Sequence, residues 1–223
     1  KSGNTWLRSL LSSYFYSEDG LFDQTLLKKI CQFPEKKYFR DFDYNPSIIT
    51  DTSKFWISAQ EKINKDNKIK FFKTHNVLGA INGNNFTNLK NTLGCIYIVR
   101  DPRNVITSLK NHYEMTDEEA LAFMINEKKF IYDYHSKNDY SDFQFISSWE
   151  KNYKSWINQN SLPVKIIKYE NLYAKTFEVF KDIIKFINKI TNSKKKFDSQ
   201  KARNSIQSSS FDKLKKIEET DGF

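Results

Sequence analysis

An α/β fold built on a parallel sheet is what this sequence predicts, and three observations carry the prediction. Strand-like runs alternate with amphipathic stretches: IKFFKT (69–74), GCIYIV (94–99) and PVKIIKYENL (163–172) are each separated by segments of helical period. The stretch GCIYIVRDPRNVITSLKNHY (94–113) is a complete strand–turn–helix unit, with Asp101 as a helix cap and Pro102 suited to the first helical position. TFEVFKDIIKFINKI (176–190) is strongly amphipathic at the helical period. In such sheets ligands bind beyond the carboxyl ends of the strands, so polar residues there are the functional candidates.

Each element follows from local pattern. Residues 4–16 place Trp6, Leu7, Leu10, Leu11, Tyr14 and Phe15 at helical spacing. Residues 17–50 are aromatic and polar without a period, and are expected to be irregular. DTSKFWISAQEKINK (51–65) opens on the cap-type residues Asp51, Thr52 and Ser53 and predicts a helix. Residues 69–74 and 94–99 read as strands, the second rich in β-branched and aromatic residues and expected to be buried. Val105, Ile106, Leu109 and Tyr113 then recur on one helical face. Thr116 and Glu119 have capping-box spacing ahead of another helix. Residues 135–147 are polar and predict a mobile loop. SSWEKNYKSWINQN reads as a helix with Trp149 and Trp156 as two knobs on one face. The run 163–172 reads as a strand ending in polar residues. The tail SSSFDKLKKIEETDGF has a serine cap and puts Phe211, Leu214 and Ile217 on one face.

Bulk properties narrow the function. The 223 residues fit one domain, long enough to bury roughly 70% of the unfolded surface. A net charge of +9 favours anionic partners: nucleic acid, an anionic membrane or phosphorylated small molecules. A nucleic-acid module wants basic residues interleaved with aromatics on one face. Here the lysines are dispersed, and the one tight run, Lys194–Lys196, reads as a solvated turn after a helix, so no nucleic-acid partner is expected. Cys31 and Cys95 have neither metal-ligand spacing nor the makings of a disulfide framework, which favours a reducing compartment and a cytoplasmic location. No apolar run approaches ~18 residues, so no membrane span is expected.

Three constellations carry chemistry. KSGNTW (Lys1, Ser2, Gly3, Asn4, Thr5, Trp6) is a small turn opening a helix. Such a turn presents unpaired backbone N–H groups at the positive end of the helix dipole and suits phosphate. It lacks Walker A spacing, and an ordinary helix cap fits it equally well. In KTH, Lys73 and His75 flank one residue at a strand's carboxyl end. His75 can serve as a general base near neutral pH, against the commoner reading of an exposed loop histidine. Arg100 leaves the 94–99 strand and Ser108 lies on the following helix. The guanidinium fork suits phosphate oxygens, the other reading being an ion pair with Asp101 or Glu170. His112 reads as a packing or surface residue, and His135 as solvated.

Together these pieces resemble the sulfotransferases that use 3′-phosphoadenosine 5′-phosphosulfate (PAPS). KSGNTW resembles the family's 5′-phosphosulfate loop, usually P-K-S-G-T-T-W, with Asn4 in place of a threonine. IYIVRDPRNVITS resembles its 3′-phosphate motif, FFKTH the segment of its catalytic histidine, IIKYENL the strand of its adenine-side tyrosine, and SSSFDKLKK its later serine–phenylalanine segment. All five occur in the family's order.

The resemblance implies a three-layer α/β domain with a central parallel sheet, the P-loop-NTPase-like sulfotransferase fold. It implies one domain over 1–223, without counterparts of the family's first strand and its C-terminal 3′-phosphate loop. The implied reaction is in-line transfer of a sulfuryl group from PAPS to a hydroxyl or amine of a small-molecule or carbohydrate acceptor. Adenosine 3′,5′-bisphosphate is the product, and no metal is required. His75 is implied as base, Lys1 and Lys73 as charge stabilisers, and Ser2, Gly3, Asn4 and Thr5 as the 5′-phosphate loop. Arg100 and Ser108 are implied as 3′-phosphate ligands, and Trp6, Tyr169, Ser210 and Phe211 as the adenine side. A homodimer stays open. The alternatives are a P-loop-like nucleotide-dependent kinase, which wants a Walker A loop, and an inactive nucleotide-binding relative, which would not need Lys1, His75, Arg100 and Ser108 together.

Overall fold

The periodic segment at the start of the chain folds as α1 (Asn4–Tyr16), with Trp6, Leu7, Leu10, Leu11 and Tyr14 turned inward as their spacing requires. The computed structural model describes residues 2–133, 138–210 and 213–214. After α1 come β1 (Cys31–Gln32), α2 (Trp56–Ile63), β2 (Phe72–Lys73), β3 (Ala80–Ile81), β4 (Asn84–Asn85) and β5 (Cys95–Val99). Then follow α3 (Pro102–Tyr113), α4 (Asp117–Ile125), β6 (Phe130–Ile131), β7 (Gln144–Phe145) and α5 (Trp149–Ile157). The last elements are β8 (Val164–Lys168), α6 (Tyr169–Ala174), α7 (Thr176–Ile190) and α8 (Ser199–Ser208).

The fold is α/β, and the described strands pair two by two: β1 with β2, β3 with β4, β5 with β8, and β6 with β7. β5 and β8 run parallel, since Cys95 N–H at the start of one donates to Pro163 C=O just before the other (2.9 Å). The other resolved registers are antiparallel. Ala80 faces Asn85 and Ile81 faces Asn84, across a two-residue turn at Asn82 and Gly83 whose φ angles are 51° and 80°, the left-handed pair that tight hairpins favour. Phe130 faces Phe145 and Ile131 faces Gln144.

Two strands depart from expectation. The 69–74 run narrows to Phe72–Lys73, because Lys70 turns back to bond Ile63 C=O (2.7 Å) and Asp66, leaving Ile69 exposed. The strand at 163–172 stops at Lys168, and Tyr169 begins a helix instead. The β5 residues, expected to be buried, are all half-buried.

Two compact units divide the chain. The first comprises Lys1–Cys31, Ile98–Arg100 and Lys165–Phe223. Its interior is supplied by Leu10 and Leu11 of α1, Phe180, Ile183, Ile184 and Ile187 of α7, and Ala202 of α8. Helix α8 packs on both α1 and α7. The sequence pattern missed α8, because its inward residues are small: Ala202 and Ser205, both fully buried. Asp198 caps it by accepting from Lys201 N–H (2.9 Å), and Tyr14 hydroxyl accepts from Asp198 N–H (2.9 Å). The Lys194–Lys196 run is exposed, as expected of a solvated turn. Ser208 ends α8, and Ser210 C=O accepts from Leu214 N–H (3.0 Å), a helical i to i+4 bond that places a serine ahead of the next turn. Phe211, Ile217 and His135 lie outside the described residues.

The second unit comprises Gln32–Tyr97 and Asp101–Val164. Its main core is aromatic: Phe33, Phe39, Trp56, Phe86, Phe143 and Trp156 are all buried. The irregular excursion therefore contributes Phe33 and Phe39 to a core. Residues 138–147 form no mobile loop, since Phe143 is fully buried and β7 lies among them. A second cluster joins α3 to α4 through Val105, Leu109, Ala120 and Met124. Trp149 packs on this cluster and Trp156 on the aromatic one, so the two knobs of α5 reach different clusters. Seven residues separate them along α5, a rise of ~10 Å, enough for each to reach a different cluster.

Two predictions arise here. The capping box forms as the sequence requires, with Thr116 hydroxyl accepting from Glu119 N–H (3.2 Å) and Glu119 carboxylate accepting from Thr116 N–H (2.8 Å). Thr116→Ala should lower stability by ~1 kcal/mol in denaturant unfolding. Burial pushes the Cys95 thiol up to about 12, and alkylation requires thiolate. Iodoacetamide at mildly alkaline pH should therefore label Cys31 in the folded protein and Cys95 only in denaturant, as mass spectrometry would show.

Candidate active site

Helix α1 starts on Gly3, whose φ of 87° and ψ of 19° lie in the left-handed region. A Cβ there would stand 2.6 Å from Tyr169 Cδ2 and 2.8 Å from Cε2, so only glycine lets the turn approach this ring. Leu7 N–H makes the first helical bond, to Gly3 C=O (3.0 Å). The preceding N–H groups, at Asn4, Thr5 and Trp6, have no intrahelical partner. Among the described residues no side chain caps this end and no acidic residue sits in the first turn, which leaves the helix's positive end open to an anion. Two buried polar atoms, Asn4 Oδ1 and Trp6 Nε1, have no hydrogen-bond partner among the described residues.

Aromatic rings and one cation surround the turn. The Trp6 and Tyr169 rings meet edge to face at 6.0 Å, and Trp6 meets Tyr173 at 6.3 Å. Tyr169 and Tyr173, one turn apart on α6, stack at 6.4 Å. The Arg100 guanidinium carbon lies 4.5 Å from the Tyr169 ring centroid, a cation–π distance. Burial raises the Tyr169 hydroxyl pKa, and Arg100 opposes that shift. All these residues belong to the first unit.

In the second unit, the segment after β2 is held by side chains. His75 N–H donates to Gln144 Oε1 (2.9 Å), and His75 C=O accepts from Asn152 Nδ2 (3.1 Å). Asn76, almost fully buried, accepts from Phe145 N–H at Oδ1 (2.7 Å) and from Trp156 Nε1 at its carbonyl (3.0 Å). Lys73 and His75 themselves are half-buried. At the start of α3, Asp101 accepts from Arg103 N–H (2.9 Å) and pairs with its guanidinium. Arg103 thereby holds the Asp101 carboxyl down at about 2. Ser108 is half-buried on α3.

A family model described as a sulfotransferase domain matches residues 1–221. The chain belongs to the sulfotransferase family. Among curated proteins, none matches it. Membership assigns sulfuryl transfer in general to the chain.

In this sulfotransferase the structure brings Gly3, Trp6, Arg100 and Tyr169 into one cluster, with Ser2, Asn4 and Thr5 on the same turn. It places Lys73 and His75 on a tethered segment. Lys1 and Phe211 lie outside the described residues, and Ser210 is half-buried just past α8. Sequence reasoning missed Tyr173. Reading YENLY as a helix would have paired it with Tyr169 at i,i+4. It also missed Gln144 and Asn152, which bond the His75 backbone, and Tyr97, which bonds Asn152; spacing offered no signal for any of them. His112 is exposed on α3. Among the described residues no helix is long and apolar enough to cross a membrane.

Proposed function

We propose that this sulfotransferase domain transfers a sulfuryl group from PAPS to a hydroxyl or amine of a small-molecule or sugar acceptor, in line, with His75 as general base. The observation that supports it most is the uncapped start of α1 at Gly3, with Tyr169 pressed against the turn and Arg100 over its ring. The chemistry of these groups fits the co-substrate. Orphan N–H groups at a positive helix end suit a 5′-phosphate, Arg100 suits a second phosphate, and the unpartnered Trp6 Nε1 adds a donor on an aromatic wall. Bound there, PAPS would supply the sulfuryl group and the nucleotide leaving group.

The chain's own residues then have separate tasks. Ser2, Gly3, Asn4 and Thr5 hold the 5′-phosphate through the turn, and Trp6 and Tyr169 flank the base together with Ser210 and Phe211. Arg100 holds the 3′-phosphate, with Ser108 assigned to it on sequence pattern. His75 takes the acceptor proton, while Lys1 and Lys73 stabilise the charge that spreads over the transferred group and leaving oxygen. The reading includes the P-loop-like central parallel sheet, no metal, a reducing cytoplasmic setting for the free thiols, and either a monomer or a homodimer.

Thermal unfolding tests the reading. Adenosine 3′,5′-bisphosphate at a hundredfold excess over its Kd should stabilise the protein by about 2.7 kcal/mol, with no response to single-stranded DNA and a weaker one to ATP. Stabilisation by ATP alone would favour the kinase alternative, and no response to the bisphosphate would remove the proposal. Arg100→Ala should weaken the bisphosphate by roughly 10–10²-fold while barely changing adenosine 5′-monophosphate. Equal losses, measured by calorimetry, would count against the 3′-phosphate role.

A further inference from the structure

We infer that Asn152 is a positioning residue for His75, held in register by Tyr97, and that its carboxamide sets where the histidine side chain is presented. This rests on the reading of His75 as the base. Three hydrogen bonds engage the Asn152 carboxamide. Nδ2 donates to His75 C=O (3.1 Å) and to Ile146 C=O (2.8 Å), and Oδ1 accepts from Tyr97 hydroxyl (2.9 Å). With both Nδ2 hydrogens and Oδ1 engaged, the amide cannot turn over without breaking all three bonds.

The opposite side of the same residue is held as well. His75 N–H donates to Gln144 Oε1 (2.9 Å), and Gln144 is itself buried on β7. The peptide groups on both sides of the His75 Cα are thus fixed by side chains from two other elements. Just beyond, Asn76 N–H donates to Thr74 hydroxyl (3.1 Å), and Asn76 is pinned by Phe145 and Trp156. Tyr97 suits its part, because burial pushes its hydroxyl pKa far up and keeps it a donor. Strand β2 ends two residues before His75, so no backbone ladder would hold the histidine. A general base needs placement to a fraction of an ångström, and a misplacement of ~1 Å can cost about 10²-fold in rate.

Asn152→Asp keeps the shape and removes both donors. Turnover is measured with labelled PAPS on whichever acceptor gives the highest rate in a pool of alcohols, phenols, amines and sugars. We expect kcat to fall on the order of 10²-fold, with KM for PAPS and affinity for adenosine 3′,5′-bisphosphate little changed. The same substitution in a His75→Ala background should cost nothing further, because Asn152 acts through the histidine. Unchanged kcat in a folded Asn152→Asp protein would overturn the inference, as would an equal loss in both backgrounds. Wild-type turnover by His75→Ala alone would instead sink the base reading, which separates the two failures. A readout free of turnover guards against poor folding of Asn152→Asp. In Tyr97→Phe, which leaves the donors in place but frees the carboxamide, the NMR ring signals of His75 should shift while those of the other two histidines stay put. Signals of His75 that do not move would overturn the inference.

Discussion

Replacing His75 with alanine should lower sulfuryl transfer by roughly 10²–10⁴-fold, the range a positioned general base contributes, while leaving affinity for adenosine 3′,5′-bisphosphate within about twofold. The structure makes this a clean substitution. The local backbone is held by Gln144 on the His75 N–H and by Asn152 on its carbonyl, and neither bond involves the imidazole. Alanine keeps both bonds, so the segment should stay in place while the base is lost. The side chain is half-buried, so its removal opens no large core cavity. Labelled PAPS turnover and calorimetric binding, run on the same preparation, read the two quantities. An alanine variant that transfers at the wild-type rate would remove His75 from the mechanism.

Gly3→Ala should weaken adenosine 3′,5′-bisphosphate by more than about tenfold, and by a mechanism visible in the geometry. A φ of 87° costs a residue with a Cβ about 1–2 kcal/mol. The added carbon would also stand 2.6 Å from Tyr169 Cδ2, so the ring must move. That ring carries Arg100 on its face and meets the edge of Trp6, so its displacement disturbs three groups of the candidate nucleotide site. Helix α1 should survive, because Leu7, Leu10 and Leu11 remain buried. Gly79→Ala is the control: its Cβ would meet nothing nearer than Val77 at 3.9 Å. Calorimetry should show a loss for the first substitution and none for the second. Equal affinity for both variants would mean that the Gly3 turn does not shape the site.

Much of the local structure was legible because it follows from short-range rules. The Thr116–Glu119 box, the Asp101–Pro102 helix start and the apolar stripe of α7 all formed where their residue types require. Other features depended on partners distant in sequence. Helix α8 carries small residues inward, Ala202 and Ser205, and has no apolar stripe to announce it. The run at 138–147 reads as polar, yet Phe143 within it packs against Trp56 at 5.6 Å, across 87 positions. Tyr169 was read as a strand end and instead starts α6, which is what brings Tyr173 beside it.

The sequence by itself determined the family, the small turn that opens α1 at Gly3 and the candidacy of His75 and Arg100. Each of these rests on residue type and order, which chemistry reads one segment at a time. Only the tertiary structure decided that Arg100 stacks on Tyr169, that Tyr169 closes on Gly3, that Asn152 and Gln144 hold the His75 backbone, and that Tyr97 bonds Asn152. Those contacts join residues tens of positions apart. Ring faces, amide donors and carbonyls acquire their partners only when packing fixes direction as well as proximity, and no periodicity in the chain encodes that.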